Sequence, residues 1–400
     1  MPQRSGAGLW IRGGLAVVAA GAGLVFTASG CGSASDPKSA ATTSPTKTYS
    51  DSNSVEELAA GLREGDARAL EETQKRVAGK ADAPRAAVAD TEIGGFLDLI
   101  SGIRAGFLKF PPAGRGAATV VAGTMIERFG ADPAPARFME SLKPIHDIYN
   151  AALSDSNPDV RFAALGQTSK FWSWIPGRTL SQEDENSVAV WKENLHKPVV
   201  RCLASNDVRT RAAAVYSLGF LPIDSAAAPA LAHLDDPAVE VRRQTILSFA
   251  SRPTLLSEDL LLQRIHDSDG PISSASISAL KLRGLSQEQI SLGGLMTSPR
   301  ADQRASVVAL VKDRTDIDPV IWLLRLSHDA DHSVRMQAVQ ALGERKTEDP
   351  AVKRRIVEMA KSDASSDVRE AAAKLMPSNE ETTASLPPLP GSTLLNPKAN

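Results

Sequence analysis

Cysteine is almost missing from this 400-residue chain: Cys31 and Cys202 are the only two. No disulfide framework can staple the fold, and no CxxC pair offers a zinc or redox site. Aromatic residues make up only 4%, and with alanine abundant this favours close-packed helices over sheets. An excess of charge is missing too, since 45 Lys and Arg face 47 Asp and Glu for a net −2. A nucleic-acid partner would favour a basic surface, so none is expected. The chain has no Walker A loop, GxGxxG, GxSxG or HExxH, so no catalytic residue is nominated and no cofactor is expected. What it does have is apolar material, 42% of residues. That is ample for a large core needing neither metal nor disulfide.

The first thirty residues read as a targeting segment to be set apart from the fold. Arg4 and Arg12 form a positive start, Gly13–Thr27 is an apolar run, and Ala28-Ser29-Gly30-Cys31 comes next. This arrangement resembles a bacterial lipoprotein signal, which implies lipidation of Cys31 and a membrane anchor at the cell envelope. The family usually carries Leu, Val or Ile where Ala28 stands. Ala28-Ser29-Gly30 also suits ordinary cleavage before secretion, so a soluble exported protein stays open as the alternative. Cys202, in "PVVRCLA", is expected to be a buried, inert thiol.

Residues 31–54 are rich in Ser, Thr, Ala and Pro without hydrophobic period, and read as a disordered tether reaching roughly 25 Å. Residues 378–400 read as a disordered tail. Residues 55–147 are expected to form an N-terminal helical region. There "SVEELAAGLREGDARALEETQKRV" suggests helix, turn and helix. "TEIGGFLDLISGIRAGFLKF" and "GRGAATVVAGTMIERFG" suggest two more helices, out of phase with the residues from 148 onward. The bland reading is a cap over the first repeat's open face.

From 148 to 377 a pattern recurs. Aligned on an anchor residue, Arg211, Arg242, Ser273, Arg304 and Arg335 stand 31 residues apart, with Arg161 and Arg369 flanking them. A period of that size marks stacked supersecondary units. One before the anchor come Val160, Thr210, Val241, Ile272, Gln303, Val334 and Val368. Four after it come Leu165, Val215, Ile246, Ile277, Val308, Val339 and Ala373. Three after it the residue is small or β-branched, from Ala164 to Ala372. These spacings put a buried stripe on one helix, with small residues where a neighbour must approach. Four before the anchor, Asn157, Asp207, Asp269, Asp331 and Ser365 are good N-caps, a column broken by Ala238 and Arg300. Six before it the residue is always Asp or Ser, which is turn chemistry.

These columns resemble HEAT repeats of the short phycobilisome-lyase type, within the ARM/HEAT superfamily. The resemblance implies an all-α solenoid of helix–turn–helix repeats with an N-terminal helical cap. It also implies an Asp–Arg ladder between stacked repeats, built from Asp155, Asp236, Asp267, Asp329 and Asp363 with Arg161, Arg211, Arg242, Arg304, Arg335 and Arg369. An Arg near the positive end of a helix needs a compensating carboxylate, and the turn Asp is the recurrent candidate. Some relatives are di-iron hydroxylases using His-Glu motifs. This chain has six histidines and no His-Glu dipeptide, so that activity is not carried over, nor is the lyase activity.

"HDSD" (266–269) and "HDAD" (328–331) pair imidazole with carboxylate, but they lie two repeats apart, on the order of 20 Å at normal helix spacings. No metal site is assigned. The chief irregularity is extra chain between Arg161 and Arg211, holding three of five tryptophans. Insertions in solenoids map to one face, often a binding face. Lys170, Trp172, Trp174, Arg178 and Trp191 are therefore the candidate contacts for a partner protein of unknown identity. The competing reading is that Phe171, Trp172 and Ile175 fill the gap behind a lengthened helix. The expected function is a protein-binding scaffold, with an enzyme, an accessory subunit of one, or a structural spacer as alternatives.

Overall fold

A computed structural model describes residues 48–50, 53–78, 90–129, 135–174, 180–221, 223–345 and 349–376. Cys31, the segments 1–30 and 31–47, Arg178 and the tail from 378 lie outside the described residues. The unit from Tyr49 onward is a chain of α-helices with no strand among the described residues. It opens with α1 (Val55–Arg63), α2 (Ala67–Ala78), α3 (Asp90–Gly106), α4 (Pro112–Phe129), α5 (Pro135–Leu153) and α6 (Pro158–Trp174). Next come α7 (Gln182–Cys202), α8 (Val208–Gly219), α9 (Asp224–Ala227) and α10 (Val239–Phe249). The last pairs are α11 (Glu258–Arg264) and α12 (Gly270–Leu282), α13 (Gln287–Met296) and α14 (Ala301–Val311), α15 (Pro319–Leu326) and α16 (His332–Glu344), α17 (Pro350–Ser362) and α18 (Ser366–Lys374).

The even-numbered helices pack on one another in sequence, from α2 through α12 and again from α14 through α18. Odd-numbered helices form a second row, each packed on the even helix that succeeds it except α9, whose place against α10 is taken by the 3-10 run Ala228–Asp235. This is the all-α solenoid of HEAT-like pairs. One first helix is degraded: α9 passes into a 3-10 run, Ala228–Asp235, where Pro229 interrupts the helix.

The periodic stripe is the core. Val160, Thr210, Val241, Ile272, Val334 and Val368 are fully buried, as are Leu165, Val215, Ile246 and Val339. The small column is buried throughout, from Ala164 through Ala214, Thr245, Ser276, Val307 and Ala338 to Ala372. Each buried Val or Leu contributes on the order of 2 kcal/mol. The stripe fails at the end of the described array, where Ala373 is exposed and no further described helix covers it.

Helix starts obey the cap chemistry in part. Asp207 accepts from the Thr210 N–H and Asp331 from the Ser333 N–H, whereas Asp269 and Ser365 occupy the N-cap without that bond. The odd helices carry their own caps, with complete capping boxes at Ser54–Glu57 and Ser286–Gln289. Among the described residues no helix is long and apolar enough to cross a membrane.

Close packing at the N-terminal end depends on two glycines one turn apart. A Cβ on Gly102 would sit 3.0 Å from the Ala59 carbonyl oxygen, and one on Gly106 would sit 1.8 Å from that of Leu62. Neither obstacle is a side chain that can swing away. Gly106→Ala should therefore destabilise the protein by about 3 kcal/mol as overpacking against backbone. Gly284 is the contrast, since its φ is 91° with open space around the missing Cβ. Gly284→Ala should cost only conformational strain, about 1 kcal/mol. Urea unfolding of the two variants checks the order, and equal losses would refute the clash.

Candidate functional site: the arginine ladder and the insertion

Each ladder arginine is the fourth residue of an even helix, so its side chain lies beside the turn that precedes that helix. Its Nη1 donates back to that turn. Arg211 donates to the carbonyls of Ser205 and Asn206, at 2.8 and 3.3 Å, and Arg335 to those of Asp329 and Ala330, at 2.9 and 3.0 Å. Arg161, Arg242, Arg304 and Arg369 repeat the arrangement.

The opposite edge of the guanidinium reaches forward to the next repeat. Arg211 Nε and Nη2 both donate to Asp236 at 2.8 Å. Arg304 clasps Asp329 at 2.7 and 2.8 Å, and Arg335 clasps Asp363 at 2.8 and 2.7 Å. The same aspartates accept the backbone N–H two residues on, from Ala238, Asp331 and Ser365. One carboxylate thus folds its own turn and receives its neighbour's cation.

Three details differ from the expected ladder. Arg242 bonds chiefly to Asp269, with Asp267 at 3.7 Å. This also explains why Asp269 caps nothing. Asp155 pairs with Arg115, at 2.6 and 3.0 Å, in a helix read from sequence as out of phase. The ladder therefore starts in α4. Finally, two rungs have no carboxylate: Ser205 stands opposite Arg161, and Ser298 opposite Ser273. Arg369, on the last described helix, has no carboxylate partner among the described residues.

Pairing lowers the pKa of three of these aspartates, Asp155, Asp236 and Asp363. Burial alone would push the Asp236 carboxyl up, but the Arg211 fork, the Ala238 N–H and His233 at 3.0 Å reverse this, holding it far below the usual carboxylate range. Asp363 is held low chiefly by Arg335. At Asp155, burial is again overcome by Arg115 and the Asn157 N–H.

The insertion does not gather its candidate residues on one surface. Trp172 is completely buried, with its indole N–H unpaired among the described residues. It is a core residue and not an exposed contact. Lys170 is tied to Glu127 at 3.0 Å. Trp191 is half-buried and stacks on the buried His146, with ring centroids 5.9 Å apart. Burial lowers the His146 pKa, against the Asp147 carboxylate that would raise it. Trp174 ends α6, and its side chain, like the whole of Arg178, lies outside what is described. Cys202 is buried and its thiol is pushed up by that burial, as an inert residue should be. His266 sits against the Gly294 carbonyl at 2.7 Å.

Residues 295–376 match the sequence model of the HEAT repeats family. No curated protein matches the chain at a significant level. Among solved structures, an engineered protein aligns at 16% identity over 81% of this chain and 88% of its own, with a TM-score of 0.39. Importin beta aligns at 12% identity over 80% of this chain and 42% of its own, with a TM-score of 0.31.

The buried indole makes a direct prediction. Trp172→Ala should cost about 3–5 kcal/mol through the cavity it leaves, whereas Trp172→Phe, which removes the unpaired N–H, should cost far less. A thermal melt in which Ala is as mild as Phe would place the indole at the surface. A second prediction concerns acid. Asp155, Asp236 and Asp363 titrate below their unfolded value near 4, so their stabilisation is complete above about pH 4 and is lost as pH falls through their lower folded values. Asp236→Asn should lower Tm at neutral pH and flatten its decline in acid. An unchanged acid slope would remove Asp236 from that role.

Proposed function

We propose that this chain is an exported lipoprotein, anchored at the cell envelope through Cys31, whose helical array docks another protein. The observation that supports docking is the stack of helix pairs from α4 to α18, held by the ladder at most of its joints. Helix pairs contact their neighbours along the chain, so the structure grows in one dimension and offers an extended surface. Such a surface suits gripping a macromolecule better than enclosing a small substrate, and the reading is therefore of a binding protein and not an enzyme. The envelope address rests on sequence: Arg4 and Arg12, the apolar run Gly13–Thr27, and Cys31 after three small residues. The Ser/Thr/Pro-rich stretch 32–54 would let the array stand off the membrane.

The test is crosslinked affinity capture from membrane fractions, using the full chain beside Cys31→Ser, with mass spectrometry of the mature N-terminus. The expected result is a diacylated Cys31 as first residue and a specific protein partner recovered only with the wild type. An unmodified Cys31 on a soluble wild type would overturn the anchor. An intact, anchored array that captures no protein would overturn the docking role.

A further inference from the structure

The two rungs without a carboxylate are not alike. At Ser273–Ser298 both partners are replaced, so no charge is left over, and α12 and α14 make little contact. At Ser205 only the acid is replaced, and Arg161 remains. Its Nη1 is held by the carbonyls of Asp155 and Ser156 at 2.7 and 2.9 Å, as in every other repeat. Its Nε and Nη2 bond to nothing among the described residues. On Arg115, Arg211, Arg304 and Arg335 this same edge clasps a carboxylate at 2.6–3.0 Å. Ser205 is too short to substitute for one, and its hydroxyl is already engaged by the Asp207 N–H at 3.2 Å.

The space beside Arg161 is a cleft of about 620 Å³. It runs between the end of α5 at Leu153 and Ser154 and the turn Ala204–Asp207, with Arg161 and Arg201 both on its walls. Asp207 also lines it, but that carboxylate takes the Thr210 N–H and hydroxyl at 3.1 and 2.6 Å and lies 3.6 Å from Arg209. Asp155 is likewise consumed by Arg115. The uncommitted charge in the cleft is therefore positive. The joint itself does not need the missing rung. Arg209 bridges to Asp159 at 2.8 Å and lies over the Phe162 ring at 5.4 Å, while the Thr168 and Ser217 hydroxyls meet at 2.6 Å between α6 and α8.

We propose that the Arg161 cleft is an anchor site for an acidic side chain of the docked protein, whose carboxylate completes in trans the rung that Ser205 leaves open. This rests on the docking role proposed above and names the chemistry at one point of that surface. A guanidinium whose Nη1 is already fixed by two carbonyls loses little freedom on binding, and its open Nε–Nη2 edge matches a carboxylate bidentately. Arg201 adds a second positive charge at the mouth. A cleft of this volume admits an aspartate or glutamate with its flanking backbone.

The test uses the full chain with ¹⁵N-labelled arginine, following the Arg161 Nε–Hε resonance, assigned by its loss in Arg161→Lys. The probes are the capped peptide Gly-Glu-Gly-Glu-Gly, its Gln counterpart, and inorganic phosphate. The expected result is a saturable shift with the Glu peptide, none with the Gln peptide, and a weaker response to phosphate. Ser205→Asp should restore the rung within the chain, raising Tm and weakening peptide binding at least tenfold. Arg161→Gln, if folded by circular dichroism, should weaken it similarly, measured on a fluorescent form of the peptide.

No Arg161 shift with the Glu peptide, or unchanged binding in Ser205→Asp, would overturn the proposal. Phosphate binding more tightly than the peptide would overturn it in favour of a phosphate site. The two readings separate cleanly. A partner captured equally by wild type and Ser205→Asp leaves docking intact and sinks this site. Peptide binding that Ser205→Asp abolishes, with no protein ever captured, keeps the site and sinks the docking role.

Discussion

A single carboxylate with two obligations organises the array. The turn aspartate must accept its own backbone N–H to shape the bend between helices, and must face the arginine of the preceding repeat. Asp236, Asp329 and Asp363 do both at once. The arginine is equally committed, because its third nitrogen holds the carbonyls of its own turn. Each rung therefore ties three things: a turn, the helix after it, and the neighbouring repeat. Setting one sets the others.

The rungs need not supply net stability to have this effect. Desolvating two charges offsets much of their attraction, and an apolar pair of the same volume can be as stable. The stripe of Val, Leu and Ile behind the ladder carries the burial energy. What the rung contributes is register. An apolar stripe can slide by a turn at modest cost, whereas a misplaced rung leaves a buried aspartate and a buried guanidinium unpaired. The energetic asymmetry between a made and a broken pair, a few kcal/mol, fixes how a helix pair sits on the next wherever a rung is made.

Much of this was legible in the residues. The stripe, the small column and the turn aspartates arise from period and from elementary cap chemistry, and the structure places them as that pattern requires. Arg115 was missed because it stands 46 residues before Arg161, off the 31-residue period, and glycines flank it where four of the six other arginine anchors follow a valine. Asp269 displaced Asp267 because a repeat offers two acids two residues apart, and spacing alone does not choose between them. Trp172 was read two ways, as a partner contact and as filler behind a lengthened helix, and its burial agrees with the second. Tryptophan content in an insertion suggested a surface, yet Val160, Ala164, Leu165, Thr168 and Trp172 lie on one helical face. Extending the stripe by one more turn puts the indole in the core. The pattern held the answer and composition obscured it.

The two defective rungs show what the ladder does by its failure. Where both partners are lost, at Ser273 and Ser298, no charge is stranded and the two even helices separate. Where only the acid is lost, at Ser205, the helices stay packed, because Arg209, Asp159, Thr168 and Ser217 hold the joint by other means. The cost of the second defect is borne at one place, the free edge of Arg161. A guanidinium can tolerate that edge only where solvent or another molecule reaches it, and the cleft along Arg201 and Ser205 supplies the access. Closing this rung from within would convert the cleft into an ordinary repeat interface. Leaving it open makes it the one described joint at which an unfilled carboxylate position, a fixed cationic fork and room for an occupant coincide.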